Sequence, residues 1–190
     1  MTPEYFAHET ACIDAESIIG KGTKIWHFSH IMADARIGIQ CNIGQNVVVS
    51  PSVILGDYVK VQNNVSIYTG VICEDYVFLG PSMVFTNVVN PRSEVVRRDQ
   101  YLKTHIKKGA TVGANATLLC GIEVGEYAFI GAGAVVVSDV PDFALFVGNP
   151  ARQIGWMSRA GHRLHFNVKG EAYCKESGEK YLISSMITKN

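Results

Sequence analysis

The sequence predicts an all-β chain wound as a parallel β-helix, and two patterns carry that prediction. From Ile13 onward every sixth residue is apolar: Ile13, Ile19, Ile25, Ile31, Ile37, Ile43, Val49, Leu55, Val61, Ile67, Cys73, Leu79 and Phe85. The series breaks, then resumes as Ile106, Val112, Leu118, Val124, Ile130 and Val136. With 47% of the chain hydrophobic, chance gives such a run roughly once in a million phases. The second pattern lies four residues after each anchor. It holds small or β-branched side chains such as Thr23, Ser29, Ala35, Cys41, Val47, Val53, Val59, Val65 and Val89.

Each hexad therefore reads as a short strand and a corner. Two of its six residues point inward, one long and one small. The third position after the anchor favours residues that tolerate positive φ, among them Asp34, Asn46, Asn64, Gly109 and Asn115. Three hexads make a triangular coil of about eighteen residues, and coils stack at about 4.8 Å. No hexad can bury its anchor alone, so stacking supplies the core, as in a solenoid. The interior fills with aliphatic columns. Function must then lie outside, at corners, loops and subunit contacts.

The domain reading follows. The β-helix spans 1–141 with a loop insertion at 88–105, and 142–190 is an extension. Residues 163–187 alternate around "KESGEK", which reads as a hairpin tail.

Composition narrows the partners. Across 190 residues, 17 Lys+Arg balance 17 Asp+Glu. A neutral chain lacks the basic field of a nucleic-acid or membrane-surface binder. The N-terminal "MTPEYFAHETACIDAE" has no signal-peptide pattern, and "AFIGAGAVVV" is too short to span a bilayer. Five cysteines without C-x-x-C spacing read as reduced thiols, so a cytoplasmic location is expected.

Where the repeat breaks, chemistry-bearing residues gather. Between Asn90 and Lys108 stand Arg92, Arg97, Arg98, Lys103, Lys107 and Lys108 against Glu94 and Asp99, an excess of four positive charges. The plain reading is a solvated loop. The functional reading is an arm that meets phosphates, placed where a loop leaves a rigid scaffold. "VFTNVVNPRS" sets Thr86, Asn87 and Arg92 together at its start. Asn46, Asn64 and Asn115 are explained by the positive-φ slot; Asn87 sits one position earlier and is not. Its column, eighteen residues per step, runs Ala33, Pro51, Thr69, Asn87, flanked by Tyr68 and Thr86. A second polar column, His27, Gln45 and Asn63, starts within "KIWHFSHI". Its neighbours Trp26 and His30 read as cover for the open first coils.

The pattern resembles the hexapeptide-repeat family over residues 13 to about 140. That resemblance implies a left-handed β-helix, acyl transfer from acetyl-CoA or a related donor, and trimers with active sites between subunits. "KIWHFSHI", "VFTNVVNPRS" and "GNPAR" together are similar to UDP-2-acetamido-3-amino-2,3-dideoxy-D-glucuronate N-acetyltransferases of lipopolysaccharide O-antigen biosynthesis. The resemblance implies a UDP-linked amino-sugar acceptor met by His27, Gln45, Asn63, Tyr68, Thr86, Arg92 and Arg97. It implies acetyl-CoA as cosubstrate, held by Lys108, Ala114, Ala132 and, in the closing G-x-P-A-[KR] turn, Asn149 and Arg152. Asn87 is the catalytic candidate. Asparagine cannot be a general base, so its expected role is to orient the acceptor amine through its side-chain oxygen.

Rival readings stay open. The alternative acceptors are another nucleotide-linked amino sugar, such as a dTDP-3-amino hexose, and an alcohol. A zinc carbonic anhydrase-like helix needs three histidines at a subunit boundary. His105, expected in the loop and at least four coils from His27 and His30, does not favour it, so no metal is expected. A non-catalytic ice-binding helix needs a regular outward ladder, which these outward positions lack.

Overall fold

The computed structural model describes residues 4–187. Twenty short strands, mostly two residues long, run from Phe6–Ala7 to Val135–Val136. They build three parallel sheets, one per side of the coil. The first sheet begins with Phe6–Ala7, Lys24–Ile25 and Asn42–Ile43; the second with Cys12–Ile13 and His30–Ile31; the third with Ile18–Ile19 and Arg36–Ile37. Register partners stand eighteen residues apart, for example Lys24 with Asn42 and Cys12 with His30. All three sheets keep this spacing, which puts each inward side chain over its equivalent in the next coil.

The anchors from Ile25 to Val136 are buried, none more than 2% exposed. The second inward slot fills with Ala35, Val47, Val59, Val71 and their equivalents. At the start of the helix this slot is polar, and it is satisfied: the Thr23 hydroxyl donates to the Gly38 carbonyl at 2.8 Å and accepts from the Cys41 N–H at 2.9 Å. Ser29 does the same with Gly44 and Val47. Ile13 and Ile19 are only half-buried, because the first coil has a neighbour on one side. Val89 departs from the inward pattern. It is 68% exposed, since the chain leaves the coil before reaching that slot.

The positive-φ corner slot holds Asp34, Asn46, Asn64 and Asn115 as expected. It also holds Phe28, Tyr58, Tyr76 and Tyr127, which sequence preference alone argues against. Stacking offsets that strain: the Tyr58 and Tyr76 rings lie parallel with centroids 4.9 Å apart. At Gly80 the reason for glycine is space. A Cβ there would sit 2.7 Å from the Ala114 nitrogen of the next coil.

The insertion leaves after Val84–Phe85 and returns at Thr104–Ile106. Across it the partner spacing widens from eighteen to 33, as for Val71 with Thr104, so fifteen residues are added to one coil. The strand begins at Thr104, inside the 88–105 span expected to be loop. His105 is therefore a strand residue, on the third sheet beside Ile72 and Glu123. It also lies three coils, not four, from His30.

After Val136 the chain extends the first sheet. Ala144–Gly148 pairs parallel with Phe129–Ile130 and antiparallel with Ala151–Met157, which in turn pairs with Arg163–Leu164. The expected hairpin around "KESGEK" is formed by Glu171–Tyr173 and Lys180–Leu182. Arg163–Leu164 is not part of it, and a short helix, Ile183–Ile187, follows. No described helix is long and apolar enough to cross a membrane.

Candidate functional site

The insertion folds back on itself. Val95 N–H donates to the Arg92 carbonyl at 3.1 Å, and a 3-10 turn covers Arg98–Gln100. Leu102 N–H returns to the Asn87 carbonyl at 3.0 Å, closing the loop at its root. The Leu102 side chain lies over Gly121 of the next coil, where any Cβ would meet it at 3.0 Å. The loop encloses a cleft of about 440 Å³ whose lining includes Asn87, Arg92, Arg97, Arg98, Val96 and Tyr101. A second hollow of about 480 Å³ shares Arg92 and Arg97.

The cleft is cationic without internal neutralisation. Among the described residues, none of Arg92, Arg97 and Arg98 forms an ion pair. Arg97 donates from Nη1 to Gln100 Oε1 at 3.1 Å, while its Nε is buried without a partner. A buried donor left unmatched is costly, so a ligand acceptor there is worth more than on open surface. Asn87 is half-buried, and no side-chain hydrogen bond is made by its amide within the described chain. Tyr101 and Arg98 complete the cleft. An aromatic residue beside three guanidiniums in a repeat-breaking loop was the signal available for Tyr101.

Thr86, expected to meet substrate, is committed to the scaffold. Its hydroxyl accepts from Cys120 N–H at 2.8 Å and lies 3.4 Å from the Leu118 carbonyl. Tyr68 lies one coil earlier on the same side, 38% exposed, and does not line the cleft.

The other candidates map to separate corners. Corner-to-corner bonds, Asn46 N–H to His27 O, Asn64 to Gln45, Ser82 to Asn63 and Gly133 to Ala114, place His27, Gln45, Asn63, Ala114 and Ala132 along the edge between first and second sheets. His27, Gln45 and Asn63 line a groove of about 260 Å³ with Trp26. There His27 stacks on His8 at 3.5 Å, Trp26 Nε1 donates to Asn42, and the Asn63 side chain accepts from Gln45 N–H. Asn87 sits on the edge between second and third sheets. Lys108 stands at the edge between third and first, its N–H on Glu74 and its ammonium 5.8 Å from the Tyr76 ring centre. Asn149 and Arg152 are exposed at the turn between the last long strands; Arg152 Nη1 donates to the Ala151 carbonyl. One chain thus presents the candidate residues on three edges.

His105, the nearest alternative base, is engaged. Its Nε2 is 2.9 Å from Glu74 and its Nδ1 3.7 Å from Glu123, which Lys107 also meets at 2.6 Å. The hydrogen bond to Glu123 raises the Lys107 pKa above its usual value. This network pins the strand where the insertion rejoins the coil.

Comparison with known proteins agrees with the repeat architecture. Residues 16–51 and 103–138 match "Bacterial transferase hexapeptide (six repeats)", and 35–69 match "Hexapeptide repeat of succinyl-transferase". The chain is 43% identical to the dTDP-3-amino-3,6-dideoxy-alpha-D-galactopyranose 3-N-acetyltransferase of Aneurinibacillus thermoaerophilus, over 93% of this chain and 90% of that one. It is 30% identical over 78% of its length to the bifunctional protein GlmU of Thermotoga petrophila, of which it spans 35%. Its fold matches a variant of AntD, an N-acyltransferase from Bacillus cereus solved with dTDP and coenzyme A. There the TM-score is 0.54 at 17% identity, covering 82% of this chain and 84% of that one. The cationic insertion thus sits on a left-handed parallel β-helix, and the chain belongs to the hexapeptide-repeat transferase family.

Proposed function

We propose that the protein is an acetyl-CoA-dependent N-acetyltransferase acting on the 3-amino group of a nucleotide-linked 3-amino sugar. The observation that carries this reading is the uncommitted Asn87 amide at the root of a cleft with three unpaired arginines. The near full-length likeness to a dTDP-linked 3-amino-sugar N-acetyltransferase supports it.

The reaction asks little of the protein beyond placement. The neutral amine attacks the thioester carbonyl, a C–N bond forms, and the C–S bond breaks as coenzyme A leaves as thiolate. The proton released by the nitrogen ends on that thiolate or on solvent. Asn87 accepts a hydrogen bond from the amine and aims its lone pair, and proximity supplies several kcal/mol, on the order of 7 or more for well-held reactants. Backbone N–H groups at the corners can serve the oxyanion. Arg92 and Arg97 suit the nucleotide diphosphate. Lys108, Ala114, Ala132, Asn149 and Arg152 remain the candidates for the acetyl-CoA side.

The three separate edges fit a trimer. A groove that needs residues from two edges can be completed by a neighbouring subunit, and sites between subunits meet that need. Two acceptors fit the chemistry. The motif resemblance favours a UDP-linked 2-acetamido-3-amino uronate, with a product bound for O-antigen. The 43% identical relative favours a dTDP-linked 3-amino-6-deoxyhexose. Both carry the 3-amine; they differ in nucleotide, at C2 (acetamido against hydroxyl) and at C6 (carboxylate against methyl). Thiol release from acetyl-CoA across UDP- and dTDP-linked amino sugars, with alcohol acceptors as controls, tests the reading. Turnover with one 3-amino class supports it, and silence with every nucleotide-linked amine contradicts it.

A further inference from the structure

The open end of the β-helix carries a second constellation that acetyl transfer does not use. Cys12 and His30 are register partners on adjacent coils of the second sheet, both pointing outward. Asp14 follows two residues after Cys12 on the same side. One carboxylate oxygen of Asp14 lies 2.9 Å from His30 Nε2 and 3.8 Å from Cys12 Sγ. All three donor atoms fall within 4.8 Å of one another.

We propose that Cys12, Asp14 and His30 form a divalent-metal site of the Zn²⁺ class that staples the first coil to the second. A tetrahedral zinc with bonds near 2.0–2.3 Å sets its ligand atoms about 3.3–3.8 Å apart. The 2.9 and 3.8 Å spacings from Asp14 lie at or near that range, and with all three donors within 4.8 Å, side-chain rotations of up to about 1 Å would close on one ion. Thiolate, imidazole and carboxylate together suit a borderline-soft cation better than calcium or magnesium. Both strands are fixed by ladder bonds, with Cys12 N–H on Ser29 and Asp14 N–H on Ile31, so the donors are held before any ion arrives. Binding would release the Cys12 thiol proton to solvent, replace the His30–Asp14 hydrogen bond, require the neutral imidazole to carry its proton on Nδ1 so that Nε2 can ligate, and leave a fourth position for water.

The place explains the use. Ile13 and Ile19 are half-buried where Ile25 and Ile31 are fully buried. Terminal repeats of a solenoid lack one neighbour and need capping. A metal bridging coils one and two would supply that cap without touching the cleft at Asn87.

The full-length protein is stripped with chelator and titrated with Co²⁺, then Zn²⁺. The proposal expects one Co²⁺ per chain, a near-ultraviolet thiolate-to-cobalt band, and displacement by Zn²⁺. It expects Zn²⁺ to raise the thermal midpoint by several degrees. Cys12→Ser and His30→Gln should lose the band and weaken binding by about tenfold or more, with unchanged circular dichroism and unchanged acetyl transfer. Absence of the band in the parent protein overturns the proposal. So does a Zn²⁺-dependent midpoint shift that persists in both variants. Acetyl transfer in the same samples is read separately, so failure of one reading leaves the other standing.

Discussion

The regular coils and the insertion between Phe85 and Thr104 handle polar groups in opposite ways. In the coils polar side chains are mostly spent on neighbouring backbone, as at Thr23, Ser29, Thr86 and Asn63, the buried Thr104 hydroxyl being an exception. In the insertion, Arg92, Arg97 and Arg98 form no ion pair among the described residues, although Arg92 donates to the Pro91 carbonyl and Arg97 to Gln100, and the Arg97 Nε is buried without a partner. Under the proposed function, the repeat supplies stability and its interruption supplies recognition. Conformational cost supports this division, because a fifteen-residue loop on a rigid coil adds closure entropy only slowly with length.

The comparison breaks most sharply if the two regions are separated. Deleting residues 88–102 removes fifteen residues and restores the eighteen-residue register between Val71 and Lys103–Thr104. The shortened protein should keep its far-ultraviolet spectrum and melt within a few degrees of the parent, while acetyl transfer disappears. Activity surviving the deletion would show that the insertion is dispensable. The opposite lesion is Phe85→Ala, in a side chain 1% exposed at the last anchor before the break. It should cost about 3–5 kcal/mol in thermal or denaturant unfolding, because the packed coil cannot collapse into the cavity.

Smaller effects sharpen the division. Arg97→Ala should leave the melting temperature nearly unchanged and raise the KM for the nucleotide sugar by about ten- to a hundredfold, the loss of one charge-assisted hydrogen bond. A fall in stability without a change in KM would return Arg97 to the scaffold. The smallest effect is at the first coil. Asp14 has its folded-state pKa lowered, chiefly by the His30 hydrogen bond. Its contribution is therefore present above the unfolded carboxylate pKa and lost as pH falls through the lower folded value. Asp14→Asn should flatten the acid limb of a melting-temperature profile and leave the neutral region nearly unchanged, measured in metal-free buffer.

Much of the fold was legible because burial repeats with a period the eye can count. The anchors from Ile25 to Val136 are the core, and the break after Phe85 was visible as a lost frame. What the sequence hid depends on three dimensions. Val89 fits the inward pattern by spacing, yet the chain has left the coil by then. Tyr58 and Tyr76 occupy positive-φ corners where their two rings stack on each other across adjacent coils. In the site, Asn87 stood out by occupying a slot that needs no asparagine. The commitment of Thr86 to Cys120 could not be read from spacing, since it is a bond across 34 positions. His105 was misplaced by two residues of loop boundary, and only pairing with Ile72 and Glu123 corrects it.

The account rests on Asn87 as the residue that touches the reacting amine. Steady-state acetyl transfer should therefore be compared for Asn87→Ala, His105→Asn and His27→Asn with the preferred 3-amino sugar. Asn87→Ala should lower kcat by about tenfold or more with an unchanged melting temperature. His105→Asn should stay within a few-fold of the parent protein. Full turnover in Asn87→Ala, with activity abolished in His105→Asn or His27→Asn, would contradict it.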